Sequence, residues 1–192
     1  KFSSIHTIMV DERPKVSEEY AIVLDYLKHG YAHGKSQSPL AQAIGTEYFQ
    51  LLELVPKKEV FLQPLQKVYI GNGKREEIHH TKGRIELNKL TTTARQELDH
   101  LLSDIIDENE QRFVDFFNKS QPLSMRMHTL ELLPGLGKKH MWVILEERQI
   151  KPFESFQDVK ERVKLLPDPK MAIIKRILKE LEGQEKYRIF TK

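Results

Sequence analysis

Apolar positions change their spacing near residue 90. Before it, they come in short runs separated by Gly, Pro and polar clusters. The run Tyr20-Ala-Ile-Val-Leu-Asp-Tyr-Leu27 is rich in β-formers and closes at Gly30, the pattern of a strand. Lys28 to Pro39 is polar and punctuated by glycine, the composition of a loop. Thr46 to Val55, ended by Pro56, fits a short helix or a strand by periodicity alone. Glu59-Val-Phe-Leu-Gln63 and Lys67-Val-Tyr-Ile70 follow after short turns, so all three are read as strands of a meander. Gly71-Asn72-Gly73 is a hairpin turn signal, and Gly83-Arg-Ile-Glu-Leu87 supplies a last strand. Residues 1–19, with Ile5, Ile8 and Val10, read as an arm or an opening strand. Four or five short strands within about a hundred residues predict a small β-barrel, first of the oligonucleotide-binding (OB) kind.

After Leu90 the period becomes helical. Leu98, Leu101, Leu102, Ile105 and Ile106 repeat at helical spacing, and Phe113, Phe116 and Phe117 resume the pattern. Two helices, or one bent helix, are expected between Thr91 and Asn118, with Thr91 to Thr93 offering an N-cap. Ser120 to Ser124 is a break, and Ser124 is placed to cap the next helix. Ser155 caps a helix running to Leu166, Pro167-Asp-Pro169 breaks it, and Lys170 to Leu181 forms the final helix before Gly183. The predicted class is α+β in two parts: residues 1–90 a barrel with an N-terminal arm, residues 91–192 all helical.

Within the helical part, the stretch 130–145 (Leu-Glu-Leu-Leu-Pro-Gly-Leu-Gly-Lys-Lys-His-Met-Trp-Val-Ile-Leu) carries the most specific signal. Pro134 stops one apolar turn, and Gly135 and Gly137 let the chain reverse around Leu136, a natural buried plug. The helix opened by Gly137 and Lys138 presents backbone N–H groups without internal partners. Those donors, the helix dipole and the ammonium groups of Lys138 and Lys139 are expected to converge on a phosphate. Leu130, Leu133, Gly135, Leu136, Gly137, Ile144 and Leu145 resemble the helix-hairpin-helix motif, with Met141 where that motif usually has Ala. The resemblance implies backbone binding of nucleic acid without sequence readout. Leu165-Leu166-Pro167 echoes Leu132-Leu133-Pro134, but Asp168 and Pro169 replace the glycines. The echo is therefore expected to be a packing partner and not a second phosphate site.

Composition narrows the chemistry. The 192 residues hold 39% hydrophobic and 31% charged residues, enough apolar mass for real cores. Net charge is only +3, so charge distribution has to carry any argument for a polyanion partner. With no cysteine, disulfides and thiolate metal sites are excluded. No long uncharged apolar run predicts a membrane span, and a cytoplasmic protein is expected. Lys67, Lys74, Arg75, Lys82, Arg84 and Lys89, with His79, His80 and Tyr69, form the basic segment, diluted by Glu76, Glu77 and Glu86. Cations along a backbone with aromatics between them suit a single-strand platform, to which Tyr26 and Tyr31 are further candidates. His79 and His80, as neighbours on a strand, are expected on opposite faces and so not to chelate a metal.

Lys67 to Arg75, Ile78 to Ile85, Arg112 to Lys119, the hairpin and Lys151 to Phe156 together resemble the archaeal domain-of-unknown-function family 655. That resemblance implies an OB-like barrel, a helix-hairpin-helix region and RNA binding. The expected function is a non-catalytic, sequence-tolerant nucleic-acid-binding protein without cofactor. RNA is favoured and DNA possible; the contacts expected are Gly135, Leu136, Gly137, Lys138, Lys139, Lys67, Tyr69, Lys74, Arg75, His79, His80, Lys82 and Arg84. Two rivals are a DNA glycosylase-like enzyme using Asp158 downstream of the hairpin, and a protein-binding scaffold. Asp158 also falls in the first turn after Ser155, where an acid is favoured electrostatically. Asp104, Asp107, Glu108 and Glu110 form no nuclease pattern.

Overall fold

The computed structural model describes residues 15–192, so the expectation for Ile5, Ile8 and Val10 lies outside the described residues. Five strands are present: β1 (Tyr20–Leu27), β2 (Leu40–Gly45), β3 (Leu51–Pro56), β4 (Lys67–Tyr69) and β5 (Ile78–Arg84). They form one antiparallel sheet in the order β4-β1-β2-β3-β5. Val68 of β4 and Ile78 of β5 come from opposite edges yet share a buried cluster with Ala21, Val23, Ala41, Ala43, Leu52 and Leu54. The sheet is therefore curled into a half-barrel around that cluster, and Leu62 from the β3–β4 connection fills it.

The other face, through Leu24, Ile44, Phe49 and Leu51, joins one continuous core with the helices. These are α1 (Thr92–Glu108), α2 (Glu110–Lys119), α3 (Lys138–Ile150), α4 (Phe156–Arg162) and α5 (Pro169–Leu181). Thr91 caps α1 as expected, its side chain accepting from the Ala94 amide at 3.1 Å, and Ser155 caps α4 through the Asp158 amide at 2.9 Å. The chain between residues 91 and 119 divides into two helices at Asn109.

Several boundaries differ from the sequence expectation. Residues 59–63 are not a strand: Glu59 and Leu65 take positive φ (64° and 69°), and Pro64 has no amide for a ladder. β2 was hidden because all six of its positions are buried, which removes the alternation that marks a half-exposed strand. The last strand lies at Ile78–Arg84 instead of 83–87, because Lys82 and His79 are extra residues that break its alternation. The helix after Ser155 ends at Arg162, where Val163 turns extended and Leu165 has φ 62°. The segment before Pro134 is a four-residue 3-10 turn, Thr129–Leu132, not an α-helix. Ser124 closes a loop by accepting from the Arg126 and Met127 amides, and His128 caps the turn instead. Only five residues then separate that cap from Pro134, whose ring disfavours helix at Leu133.

Two polar clusters fix the layout. Gln42, fully buried on β2, donates to the Lys89 carbonyl at 3.0 Å and accepts from the Thr91 amide at 2.8 Å. Thr91 adds a hydroxyl bond to Asp25 of β1 at 2.6 Å, so the start of α1 is pinned to the sheet. Arg176 and Glu180 form an ion pair on α5 at 2.9 Å, with 1% and 0% of their surfaces exposed. Glu180 also accepts from the amides of Ile189, Phe190 and Thr191 and from the Thr191 hydroxyl. Removing one member of such a pair strands the other charge. Arg176→Met is expected to cost about 3–5 kcal/mol of unfolding free energy. Lys170→Ala, which breaks an ion pair with the exposed Asp107, should cost less than about 1 kcal/mol. Urea denaturation of both variants checks the contrast.

Candidate nucleic-acid interface

The hairpin loop is built around Gly135, whose φ is +82°. A Cβ there would stand 2.9 Å from Pro167 Cγ, so the echo segment packs on the loop it resembles. Leu136 is buried in the helical core, as is Met141. Gly137, the N-cap of α3, has φ −92° and ψ −178°, extended backbone open to any residue. A Cβ built on it meets nothing within 4 Å. Its amide donates to His140 Nδ1 at 3.4 Å, while His140 Nε2 lies 3.0 Å from the Leu165 carbonyl. His140 Nδ1 accepts, so Nε2 carries the proton and donates.

The two lysines part company. Lys138 Nζ does not join the α3 amides; it pairs with Glu131 at 3.0 Å and donates to the Arg126 carbonyl at 3.2 Å. The Glu131 carboxylate attracts the ammonium, whereas the N-terminus of α3, itself positive, repels it. Lys139 is exposed and has no ion-pair partner among the described residues.

The contiguous basic segment is dealt out to both edges of the sheet. On edge strand β4, Lys67 Nζ lies 4.8 Å over the Tyr20 ring, and Tyr20 meets Tyr69 edge-on at 5.4 Å. Tyr69 also accepts from the Gly73 amide at 2.8 Å, and a Cβ on Gly71 would collide with its ring. Arg75 Nε donates to the Gly71 carbonyl and so braces the same turn, while Lys74 is exposed. On the opposite edge, β5 exposes His79, His80, Lys82 and Arg84. The histidines are not on opposite faces: the bulge at His79 brings their Nδ1 atoms to 2.7 Å. Tyr31 is engaged inside the fold, donating to Glu53 and accepting from Gln42, and Tyr26 packs against the half-barrel core.

Arg84 reaches a cleft of about 1180 Å³ that spacing could not reveal. Arg95, Arg188 and Lys192 line it with Arg84, and Glu86, Asp99, Glu180 and Glu182 line it too, so acids equal cations in number. Arg95 is paired with Asp99 at 3.1 Å. The cations lie as far as about a hundred residues apart in sequence; Arg188 and Lys192 reach the cleft through the docking of the C-terminal tail on α5. A second groove, of about 930 Å³, runs between the 122–128 loop and α3 and is lined by Met125, Met127, Met141, Trp142 and His128. His128 is 6% exposed; its Nδ1 accepts from the Leu130 amide at 3.1 Å, so its proton sits on Nε2. That Nε2 is buried and has no hydrogen-bond partner among the described residues.

Asp158 sits in a closed local circuit. Its carboxylate accepts from the Glu154 amide at 3.0 Å and pairs with Arg162 at 3.1 Å. The amide bond first, then Arg162, hold its carboxyl below the ordinary aspartate range. Of the helix acids, Asp107 pairs with Lys170, and Glu110 accepts from the Phe156 amide.

These features define an α+β protein, a curled five-stranded half-barrel with five helices, carrying a cleft lined by charges of both signs and a separate groove rich in methionine with one tryptophan. The chain belongs to the family described as "Protein of unknown function (DUF655)", which matches residues 17–192. It is 44% identical over 182 residues to the uncharacterized protein MJ0038 of Methanocaldococcus jannaschii, covering 94% of this chain and 82% of that one. The crystal structure of Af1531 from Archaeoglobus fulgidus, of the same family, is similar with TM-score 0.83 at 42% identity. That similarity covers 91% of this chain and all of the other. No helix among the described residues is long and apolar enough to cross a membrane.

The site's titrations act at two separate pH ranges. Burial first and then the Arg148 charge push His128 below the usual imidazole range, so the unfolded imidazole takes up a proton that the folded one refuses. Stability should fall as pH drops below about 6.5, the ordinary histidine value. Glu131 and Asp158 are held down, so their contribution is full above about pH 4 and lost as pH falls through their folded values. His128→Asn, which keeps a capping oxygen, should reduce the upper decline, and Asp158→Asn the lower one. Urea midpoints between about pH 3 and 8 read both.

Proposed function

We propose that this protein binds nucleic acid without catalysis and without strong sequence preference, with single-stranded RNA as the favoured ligand. The observation that carries the reading is Gly137. Its extended backbone and open surroundings require no glycine within the protein itself. A ligand whose phosphate comes up against the first turn of α3 supplies the reason, because a side chain there would stand in its way. Lys138, Lys139 and His140 provide the first backbone amides of that helix, and Lys139 adds a cation with no ion-pair partner among the described residues. The loop through Gly135 and Leu136 is read as the turn of a helix-hairpin-helix whose first helix is shortened to a 3-10 turn.

The sheet supports the same reading. We read its order, β4-β1-β2-β3-β5, as an OB-like barrel left open between β4 and β5, with β5 antiparallel to β3. Exposed Tyr20 beside Lys67, and exposed Phe61 beside Lys28, combine a ring face with a cation. Such pairs serve unstacked bases better than a duplex, whose base faces are already covered. Asp158 is read as a helix cap, since a bonded, ion-paired carboxylate is poorly placed to act as a base.

Affinity for labelled single-stranded RNA should fall with salt, with a slope set by the phosphates neutralised. Lys139→Ala should fold like the parent, bind more weakly and show a shallower slope. Gly137→Val should also fold, losing no more than about 1 kcal/mol at the N-cap, yet bind at least about tenfold more weakly. Gly135→Ala, by contrast, should destabilise the protein by about 1–3 kcal/mol through its positive φ and the Pro167 contact. Parallel melting curves and fluorescence anisotropy on each preparation test this. Parent-like binding by folded Gly137→Val, or no binding to RNA or DNA at any salt, ends the reading.

A further inference from the structure

Lys138 belongs to two features at once: its backbone opens α3 beside Gly137, and its side chain lines the groove of about 930 Å³. Trp142 stands four residues on, one helical turn along the same face. It is the chain's single tryptophan, and 59% of its surface is exposed. Met125 and Met127, both exposed, come from the loop that forms the other wall. Arg126, Lys138 and Arg148 line the groove against Glu131 and Glu146, so cations outnumber acids.

We propose that this groove receives unpaired bases of a single-stranded RNA whose backbone lies on the N-terminus of α3, with one base stacked on Trp142 and the Nε2–H of His128 donating to a base acceptor. The proposal rests on the nucleic-acid reading above and adds to it the part of the ligand that is not phosphate. An indole face accepts any base, and thioethers are polarisable neighbours for an aromatic ring. His128 Nε2 is a buried donor lacking a partner, a state that is rare in folded proteins. All four bases carry ring or carbonyl acceptors, so a single donor is met without dictating sequence. An apolar peptide helix would cover Trp142 and the methionines equally well. Its carbonyls are bonded within the helix, however, and it would leave the His128 donor unmet. The volume exceeds that of one base and leaves room for a neighbour.

The lone tryptophan makes the test direct. The full chain is titrated with a single-stranded homopolymer RNA of about a dozen nucleotides, and with the corresponding RNA duplex, following Trp142 emission and the anisotropy of labelled RNA together. The single strand is expected to quench emission with the same midpoint that anisotropy reports, and the duplex to leave emission largely unchanged. Trp142→Ala should fold, because the side chain is exposed, and should bind the single strand about tenfold more weakly, within the range of one lost base stack. Trp142→Phe should recover part of the loss. His128→Asn keeps an acceptor for the Leu130 amide, but its shorter carboxamide cannot place an N–H where Nε2–H stands, and it should weaken binding severalfold. If anisotropy reports binding while emission is unmoved and Trp142→Ala binds like the parent, the groove proposal falls and the nucleic-acid reading stands. The groove would then be left to a protein partner. Absence of any anisotropy change would overturn the nucleic-acid reading and this proposal with it.

Discussion

An arginine and a glutamate buried together on one helix impose most of the constraints on this molecule. Taking either charge out of water is costly unless its hydrogen-bonding capacity is met in full. Glu180 meets it with Arg176 and with three consecutive amides of the tail, Ile189, Phe190 and Thr191. Arg176 meets it by adding Glu185 and the Tyr187 carbonyl, and it approaches the Leu132 carbonyl at 3.5 Å. The tail is thus tied to α5, and Phe190 is delivered onto Phe113 and Phe116 of α2. Leu132 is the last residue of the 3-10 turn before Pro134, so the hairpin loop is referred to the same pair. The wall of the large cleft and the approach to the hairpin therefore share one anchor.

A second constraint decides how the helices meet the sheet. Gln42 has no water to turn to at the centre of β2, and its amide is satisfied only if Tyr31, Lys89 and Thr91 all arrive together. The carbonyl and amide it contacts flank Leu90 in the connection between β5 and α1. This places Arg84, at the end of β5, beside Arg95 on α1, and gives the cleft two of its four cations. A buried polar network of this kind is specific because half-satisfied alternatives are penalised.

How much of this was legible in the sequence depends on whether local chemistry or tertiary docking decided the matter. Thr91, Ser155 and the apolar faces of α1 and α2 were legible, because caps and helical periodicity act within a few residues. Leu136 was legible as a buried plug for the same reason. β2 was not, since a central strand built from Ala41, Gln42 and Ala43 is buried on both faces and carries no alternation. Nor was the pairing of His79 with His80, because only the bulge opposite Val55 and Pro56 shows that the strand loses its two-residue period there. The fate of Lys138 turned on Glu131, seven residues away, across a segment that is a 3-10 turn and not the helix the motif implies. Trp142 and His128 were missed as site residues: indole exposure and an orphaned ring nitrogen are properties of packing, with no pattern in the chain to announce them.

In the proposed reading, the positive potential at the hairpin has an origin different from the one its two lysines advertise. Lys138 is neutralised by Glu131, which leaves Lys139 and the first amides of α3 as the sources of positive potential. The Gly137 amide is already engaged, but by a His140 contact of 3.4 Å, near the long end of a hydrogen bond. An incoming phosphate oxygen would replace a weak neutral acceptor with a charged one, which strengthens the bond. The imidazole would remain fixed through Nε2 to the Leu165 carbonyl, on the segment whose Pro167 supports Gly135. The echo of the hairpin, which offers no amide cluster of its own, thereby acts as the backing that holds the other loop in shape.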